Sequence, residues 1–392
     1  FLKLARELLG RKNLSANIAV VIFIILSSLP LLEGNIANAE IFMILPTILG
    51  ILYFFQKKTS PKTLLLIGGL FSLSTLFKIP AGFDFGALVF FLIFFKERSS
   101  LLKLASQTLI LLAGFILPIL LTILYYSSQG ALKQYLVAAF FQNIPYLSSW
   151  QTGQHSGGPG SGVLLRGISL FLLIGFLWIF RKKWTEKFSF VFVWFLFTLF
   201  AATLSGRPYP HYLIQIIAPS SLLLLCILSL KSWLKIIPII FISLLFFATI
   251  YFRFWSYPTL SYYQNFLLFA SGKEAQEKYF AGFNSEVPQT YHLAQFLSIR
   301  TKSEEKIFVW GDSPNLYALS RRLPVGRYTA SYHIVDFDGY QETMSALEKN
   351  PPRFIIDLQD EGHPFPELKN FIQKNYSFFS QIDKALIYRL II

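Results

Sequence analysis

Residues 18–55 read IAVVIFIILSSLPLLEGNIANAEIFMILPTILGILYFF, two apolar runs around the polar insert EGNIANAE at 33–40. Taken as 15–32 and 39–56, each run falls in the range of about 17–25 residues that a helix needs to cross a bilayer core. Gly34 and Asn35 alone would satisfy a hairpin turn. The insert also carries Glu33, Asn38 and Glu40, and Glu40 abuts the second apolar run. Two such spans imply a membrane-embedded helical fold, and the extra polar residues between them become candidates for a site.

The same pattern extends outward. The 392-residue chain is 54% hydrophobic, 17% aromatic and only 14% charged, with mean hydropathy +0.52. This fits a polytopic α-helical membrane protein better than a soluble domain. Further apolar runs at 63–78, 79–95, 104–126, 163–180, 188–205, 211–230 and 236–252 bring the expected spans to nine. The fourth is the weakest, since FDFGALVFFLIFF is short and IPAGFDFG precedes it. Backbone broken at membrane depth survives only when packed in protein or beside a wet cavity, so spans three and four are expected to meet in a bent hairpin. The single cysteine, Cys226, supports neither a disulfide framework nor a thiolate metal site.

Formal net charge is +14, yet residues 253–392 are balanced at 15 basic and 15 acidic residues. The excess lies in the apolar part, 20 basic against 6 acidic, scattered over short loops. No basic face is left for nucleic acid, and the charge reads as a topology signal. The basic loops ARELLGRKN, QKKTSPK, KERSSLLK, RKKWTEK and KSW alternate with EGNIANAE, KIPAGFD, the segment 127–162 and SGRPYPHY. The second set carries few basic residues, namely Lys78, Lys133, Arg166 and Arg207. The positive-inside rule places the first set in the cytoplasm. The second set and the C-terminal tail then lie outside a cytoplasmic (inner) membrane. The opening FLKLARELLGRKN starts at Phe1 and lacks a secretory-signal layout. It reads as a basic loop between spans, so the chain is expected to begin partway through a longer protein.

Three regions follow: a transmembrane domain over 1–252, an aromatic interfacial linker over 253–284, and an extracytoplasmic α/β domain over 285–392. In the last, the patterns predict helices over 285–301, 313–323, 339–350 and 365–375, and strands over 306–310, 353–358, 376–382 and 385–392. Ser313 is the expected cap of the second helix, with Pro314 at its first position. Strand alternating with helix implies a small open sheet covered by helices. WGDSPN follows a strand but lacks the glycines of a phosphate loop.

Ionisable residues beside hydrocarbon are costly and mark function. Four clusters share the expected outer side. The first holds Glu33, Asn35, Asn38 and Glu40. In the second, Lys78 and Asp84 are either a snorkelling pair or a cation holding an anionic head group. The third is SGRPYPHYLIQ, where Arg207, Tyr209, His211, Tyr212 and Gln215 form either an interfacial belt or a phosphate grip. The fourth lies in the Gly/Ser-rich segment 127–162, with Gln142, Asn143, Trp150 and His155; it is either a connector or a flap over an outward site. Glu40 and His211 are the pair that would ligate a divalent metal, although two residues are a weak signature.

The stretches GNIANAEIFMILP, LFKIPAGFDF, GRPYPHYLIQIIAP and IFVWGDSPNLYALSRRLPVGRY, in this order, resemble membrane glycosyltransferases of the GT-C superfamily. The resemblance is to enzymes related to protein O-mannosyltransferases and lipid A aminoarabinose transferases, and it covers nearly all of the chain. It implies transfer of a monosaccharide from a polyprenyl-phosphate donor to a lipid, glycan or protein acceptor, with inversion at the anomeric carbon. It also implies a principal carboxylate in a first outer loop, expected upstream of Phe1. Lys78, Arg207 and His211 would then hold the donor phosphate, and Glu40 would orient the acceptor. Asn35, Asn38, Asp84, Tyr209, Tyr212, Gln215, Trp150 and His155 would line the cavity. Two other classes stay open: a flippase for lipid-linked sugars, expected to carry midplane polar groups and inverted repeats, and a non-catalytic membrane scaffold.

Overall fold

The computed structural model describes residues 1–10, 14–56, 60–96, 100–143, 161–205, 209–228, 236, 239–240, 243, 247, 259–359 and 363–391. It divides into two compact units, Phe1–Thr259 and Leu260–Ile392.

The first unit is helical. Its elements are α1 (Leu2–Leu9), α2 (Leu14–Ser28), α3 (Ala39–Gln56), α4 (Pro61–Phe77), α5 (Gly82–Phe94), α6 (Leu101–Ser128), α7 (Leu132–Leu136), α8 (Ser161–Ile179), α9 (Glu186–Ala202) and α10 (Ile214–Leu228). Eight of the nine expected apolar runs are therefore helical over most of their length. Most of the ninth, 236–252, lies outside the described residues. Among the described residues, four helices, Ala39–Gln56, Leu101–Ser128, Gly162–Ile179 and Pro210–Leu228, are long and apolar enough to cross a membrane. Shorter apolar helices lie over Leu14–Ser28, Pro61–Phe77, Ile79–Phe94 and Leu132–Phe141. The chain thus has transmembrane-helix character.

The sequence reading changes at two places in this unit. The opening segment is a helix, not a loop. Leu4, Ala5 and Leu8 recur at helical spacing and are buried against α2, α3 and α10. Its Glu7 is tied to Lys187 at the start of α9. After α6, α7 runs into a π-helical turn over Val137–Phe141, a rare conformation associated with functional positions, while the Gly/Ser stretch beyond it, 144–160, lies outside the described residues.

The core is built of interlocked phenylalanines from α3, α5 and α9, among them Phe54, Phe91 and Phe190. α4 and α6 approach backbone to backbone where both carry glycine. A Cβ on Gly68 would lie 2.2 Å from the Leu111 carbonyl oxygen, and one on Gly114 would lie 2.3 Å from that of Leu65. The expected break between spans three and four is present. Lys78 is extended (φ −155°, ψ 123°), and a single 3-10 turn, Ile79–Ala81, leads into α5.

The second unit carries a four-stranded sheet in the order β1 (Phe308–Trp310), β2 (Phe354–Asp357), β4 (Ala385–Leu390), β3 (Tyr376–Ile382). β1 and β2 are parallel, and β4 runs antiparallel to both β2 and β3. Side chains alternate across it as a strand requires. Val309 and Ile356 join Leu293 and Leu297 of the helix Glu286–Arg300 on one face. Phe308 and Ile355 meet Leu347 and Leu368, from the helices Tyr340–Lys349 and Pro366–Asn375, on the other. The open sheet covered by helices is as the alternation predicts. Ser313 does not cap, however. The helix starts later, at Asn315, and the Ser313 hydroxyl donates to Asn315 Oδ1 at 2.7 Å. The linker region is helical over Thr259–Ala270 and Gln276–Ala281, and one further helix, Ser331–Asp336, had no periodic signal.

Candidate functional site

The polar clusters from three distant stretches meet at the ends of α3, α4 and α10. Glu40 occupies the first turn of α3 and is only 2% exposed. A buried carboxylate requires a partner, and Lys78, at the break after α4, reaches it as an ion pair. The Lys78 ammonium also lies 4.1 Å from the centre of the Tyr212 ring, which gives it a second, cation–π, contact. Lys78 therefore pairs with Glu40 and not with Asp84, as the sequence spacing had suggested.

Glu33 sits in the left-handed region (φ 56°) at the end of a 3-10 turn, a conformation that costs a non-glycine residue energy. Its side chain meets two others. Asn38 Nδ2 donates to Glu33 Oε2 at 3.4 Å, and His211 Nδ1 lies 2.7 Å from the same oxygen. This leaves His211 Nε2 on the side of Glu40, 3.9 Å from its Oε1. Tyr209 stacks on the His211 ring and Tyr212 meets it edge-on. Two carboxylates, an imidazole and an ammonium thus form one continuous chain, Glu33–His211–Glu40–Lys78.

Asp84 belongs to a separate, deeper network. It is 3% exposed and accepts from Trp194 Nε1 at 2.5 Å and from Gln215 Nε2 at 2.7 Å. Gln215 Nε2 also donates to the Pro80 carbonyl at 3.1 Å. Both Gln215 amide hydrogens are thereby spent on acceptors, so Oε1 is what this side chain can offer a ligand.

A cavity of about 540 Å³ opens beside Glu40, Lys78, Tyr212 and Gln215. A further part of its wall comes from Thr122 and Tyr126 of α6 and from Tyr135, Ala139, Phe140 and Asn143 around α7. That wall is stiffened by stacking of Tyr126 on Tyr135 (4.4 Å between centres) and by a 2.7 Å hydrogen bond between Thr122 and Tyr135 hydroxyls. Leu76, Phe77, Ile79 and Ile119 make the remainder apolar. Among the described residues, its only charged lining residues are Glu40 and Lys78, and most of the remaining surface is apolar, which suits an amphiphile.

Of the residues expected in the site, Glu40, Lys78, Tyr212 and Gln215 line this cavity. His211 and Asn38 belong to the Glu33 arm, and half-exposed Tyr209 stacks beside them. Asp84 serves Gln215 from behind. Asn35 lies in the turn between Glu33 and Asn38. Arg207, Trp150 and His155 lie outside the described residues. Sequence reasoning missed Trp194, hidden in FSFVFVWFLF, and the tyrosine wall of Tyr126, the last residue of a long apolar run, and Tyr135 beyond it. Among the described residues, no group of three or more His, Cys, Asp or Glu is arranged to hold a metal ion.

No protein-family model, curated protein or solved structure matches the chain. Function must therefore be argued from the site.

Proposed function

We propose that the chain is a membrane glycosyltransferase of the GT-C type, which takes a monosaccharide from a polyprenyl-phosphate donor at the outer face of a cytoplasmic membrane. The observation that carries this reading is the convergence of Glu40, Lys78, Tyr212 and Gln215 on one cavity whose charge, among the described residues, is confined to Glu40 and Lys78 and whose surface is otherwise mostly apolar. A sugar attached through phosphate to a lipid has the same division.

The chemistry requires three things. The acceptor O–H must lose its proton, the bond from the anomeric carbon to the phosphate oxygen must break, and the departing phosphate must be stabilised. In an inverting displacement the acceptor oxygen bonds to the anomeric carbon from the face opposite the phosphate. Lys78 and Arg207, assisted by His211, are assigned to the phosphate. For Lys78 this means exchanging its contact with Glu40 for the incoming anion. Glu40, once released, is assigned to orient the acceptor and take its hydroxyl proton as the bond to the anomeric carbon forms. Gln215 Oε1 is suited to accept from a sugar hydroxyl.

A flippase fits less well. Its polar groups belong near the bilayer midplane, whereas Glu40, Lys78 and His211 sit at helix ends. The test is transfer from polyprenyl-phosphate sugars by membranes carrying the full-length protein. Lys78→Ala and Arg207→Ala are each expected to lower turnover by about 100-fold or more, with normal membrane insertion. Wild-type turnover in both variants would overturn the assignment of the phosphate site. Cysteine-accessibility mapping, with single cysteines in the basic loops shielded in intact cells, tests the orientation.

A further inference from the structure

The second unit has a groove of about 890 Å³ between the helices Tyr340–Lys349 and Pro366–Asn375. We propose that this groove binds a neutral carbohydrate chain. The inference does not rest on the transfer reading of the membrane cavity.

The lining supplies what a sugar ring requires. Tyr340 and Phe371 are half-buried aromatic rings at the groove surface. Tyr340 is held edge-on against the buried Phe365, with centres 4.9 Å apart, and Phe365 in turn packs on Trp310 at 5.1 Å. Phe371 is braced by Tyr376 at 5.7 Å. Both rings are thus fixed in place before any ligand arrives, which lowers the cost of binding. Around them stand the planar polar groups of Gln341, Asn370, Glu348 and Glu367, all exposed. The amides donate and accept and the carboxylates accept through paired oxygens, which matches adjacent hydroxyls, while the rings take the C–H face of a pyranose.

Other ligand classes fit poorly. Nucleic acid is disfavoured because two carboxylates face a single lysine, Lys374, in the lining. A lipid surface is disfavoured by the same exposed charges. A peptide adding as a strand would need a sheet edge. The edges here are β1 and β3, and the lining takes only Leu390, at the end of the internal strand β4.

The experiment uses the whole chain in lipid nanodiscs. It is probed on an array of neutral and N-acetylated hexose oligosaccharides, then with soluble chitotriose and mannotriose. At least one neutral oligosaccharide is expected to be retained. The double variant Gln341→Ala/Asn370→Ala changes only exposed side chains, and it is expected to weaken that binding by about tenfold or more. Tyr340→Phe is expected to keep most of the binding, since the ring face remains, whereas Tyr340→Ala abolishes it. Retention of no oligosaccharide, or equal retention by the wild type and the double variant, would overturn the proposal. Equal retention would place any sugar binding in the membrane cavity instead.

Discussion

Lys78 and Glu40, 38 residues apart in sequence, form an ion pair at the break between α4 and α5. Each partner's surroundings make the pair matter. Glu40 has a side chain only 3% exposed, whereas that of Lys78 is 23% exposed. The carboxylate therefore depends on the lysine more than the lysine depends on it.

Replacing Lys78 alone should strand a buried carboxylate. Lys78→Met is expected to lower stability by about 2–4 kcal/mol, while Lys78→Met/Glu40→Gln should recover at least half of that loss. Thermal unfolding of the four proteins in nanodiscs gives the coupling directly. An additive result would show that the pair is not coupled.

The two tryptophans near α9 permit a controlled comparison. Trp194 donates to Asp84, whereas the Trp184 Nε1 is buried with no acceptor among the described residues. Both Trp→Phe changes remove the same atoms from a packed site. Trp194→Phe should nevertheless cost about 1–3 kcal/mol more, because it alone leaves a buried carboxyl oxygen short of a donor. Similar melting shifts for the two variants would contradict that difference.

The glycine contact between α4 and α6 leaves no room for a methyl group. Gly68→Ala and Gly114→Ala should each cost about 3 kcal/mol or more, read as lower melting temperature and yield. Gly175 has nothing within 4 Å of a built Cβ, so Gly175→Ala should change stability by less than about 1 kcal/mol.

In the second unit, Arg322 is 9% exposed, and the oxygens it bonds are backbone and hydroxyl rather than carboxylate. Its guanidinium donates to the Ser298, Thr301, Ser320 and Arg321 carbonyls and to Thr301 Oγ1, tying off the end of the helix Glu286–Arg300. Arg322→Lys cannot reproduce this planar fork and should cost about 2 kcal/mol or more. Faster limited proteolysis of residues 286–323 is the readout.

Burial pushes the phenols of Tyr317 and Tyr376 above the ordinary tyrosine range. A raised folded-state value means that the unfolded chain gives up these protons first. The stabilisation is then complete below about pH 10 and declines as pH rises further. Tyr376→Phe should flatten the alkaline part of a stability–pH curve while losing the 2.7 Å bond to the Pro352 carbonyl.

The parts that were legible in sequence are those governed by local patterns. Apolar run length located α3 within its observed limits, and strand alternation located β3 and β4. Pro80 and the glycines around it announced the break at Lys78. What stayed hidden depends on three-dimensional pairing. Lys78 is six residues from Asp84, so nearness along the chain suggested that partner; the extended backbone at Lys78 and the turn after it separate the two and bring up Glu40 instead. Trp194 lies in an apolar run where its ring is indistinguishable from core, and only the fold shows that its N–H meets a carboxylate. The α1 helix escaped notice because its basic residues looked like loop charge, while Leu4 and Leu8 already carried the periodicity.

The fusion of α4 to α6 also limits how the cavity can work. Thr75 to Pro80, at and just after the end of α4, and Ile119, Thr122 and Tyr126 of α6 all line the cavity. Backbone contact at Gly68 and Gly114 packs the two helices closely, so they are expected to move as one body. Widening to admit a bulky amphiphile is then expected around Ala201, Ala202, Leu204, Ser205 and Tyr212, or at the α7 turn. A cross-link within the α4–α6 pair should therefore leave ligand entry intact, whereas one between Tyr135 and Leu204 should close it.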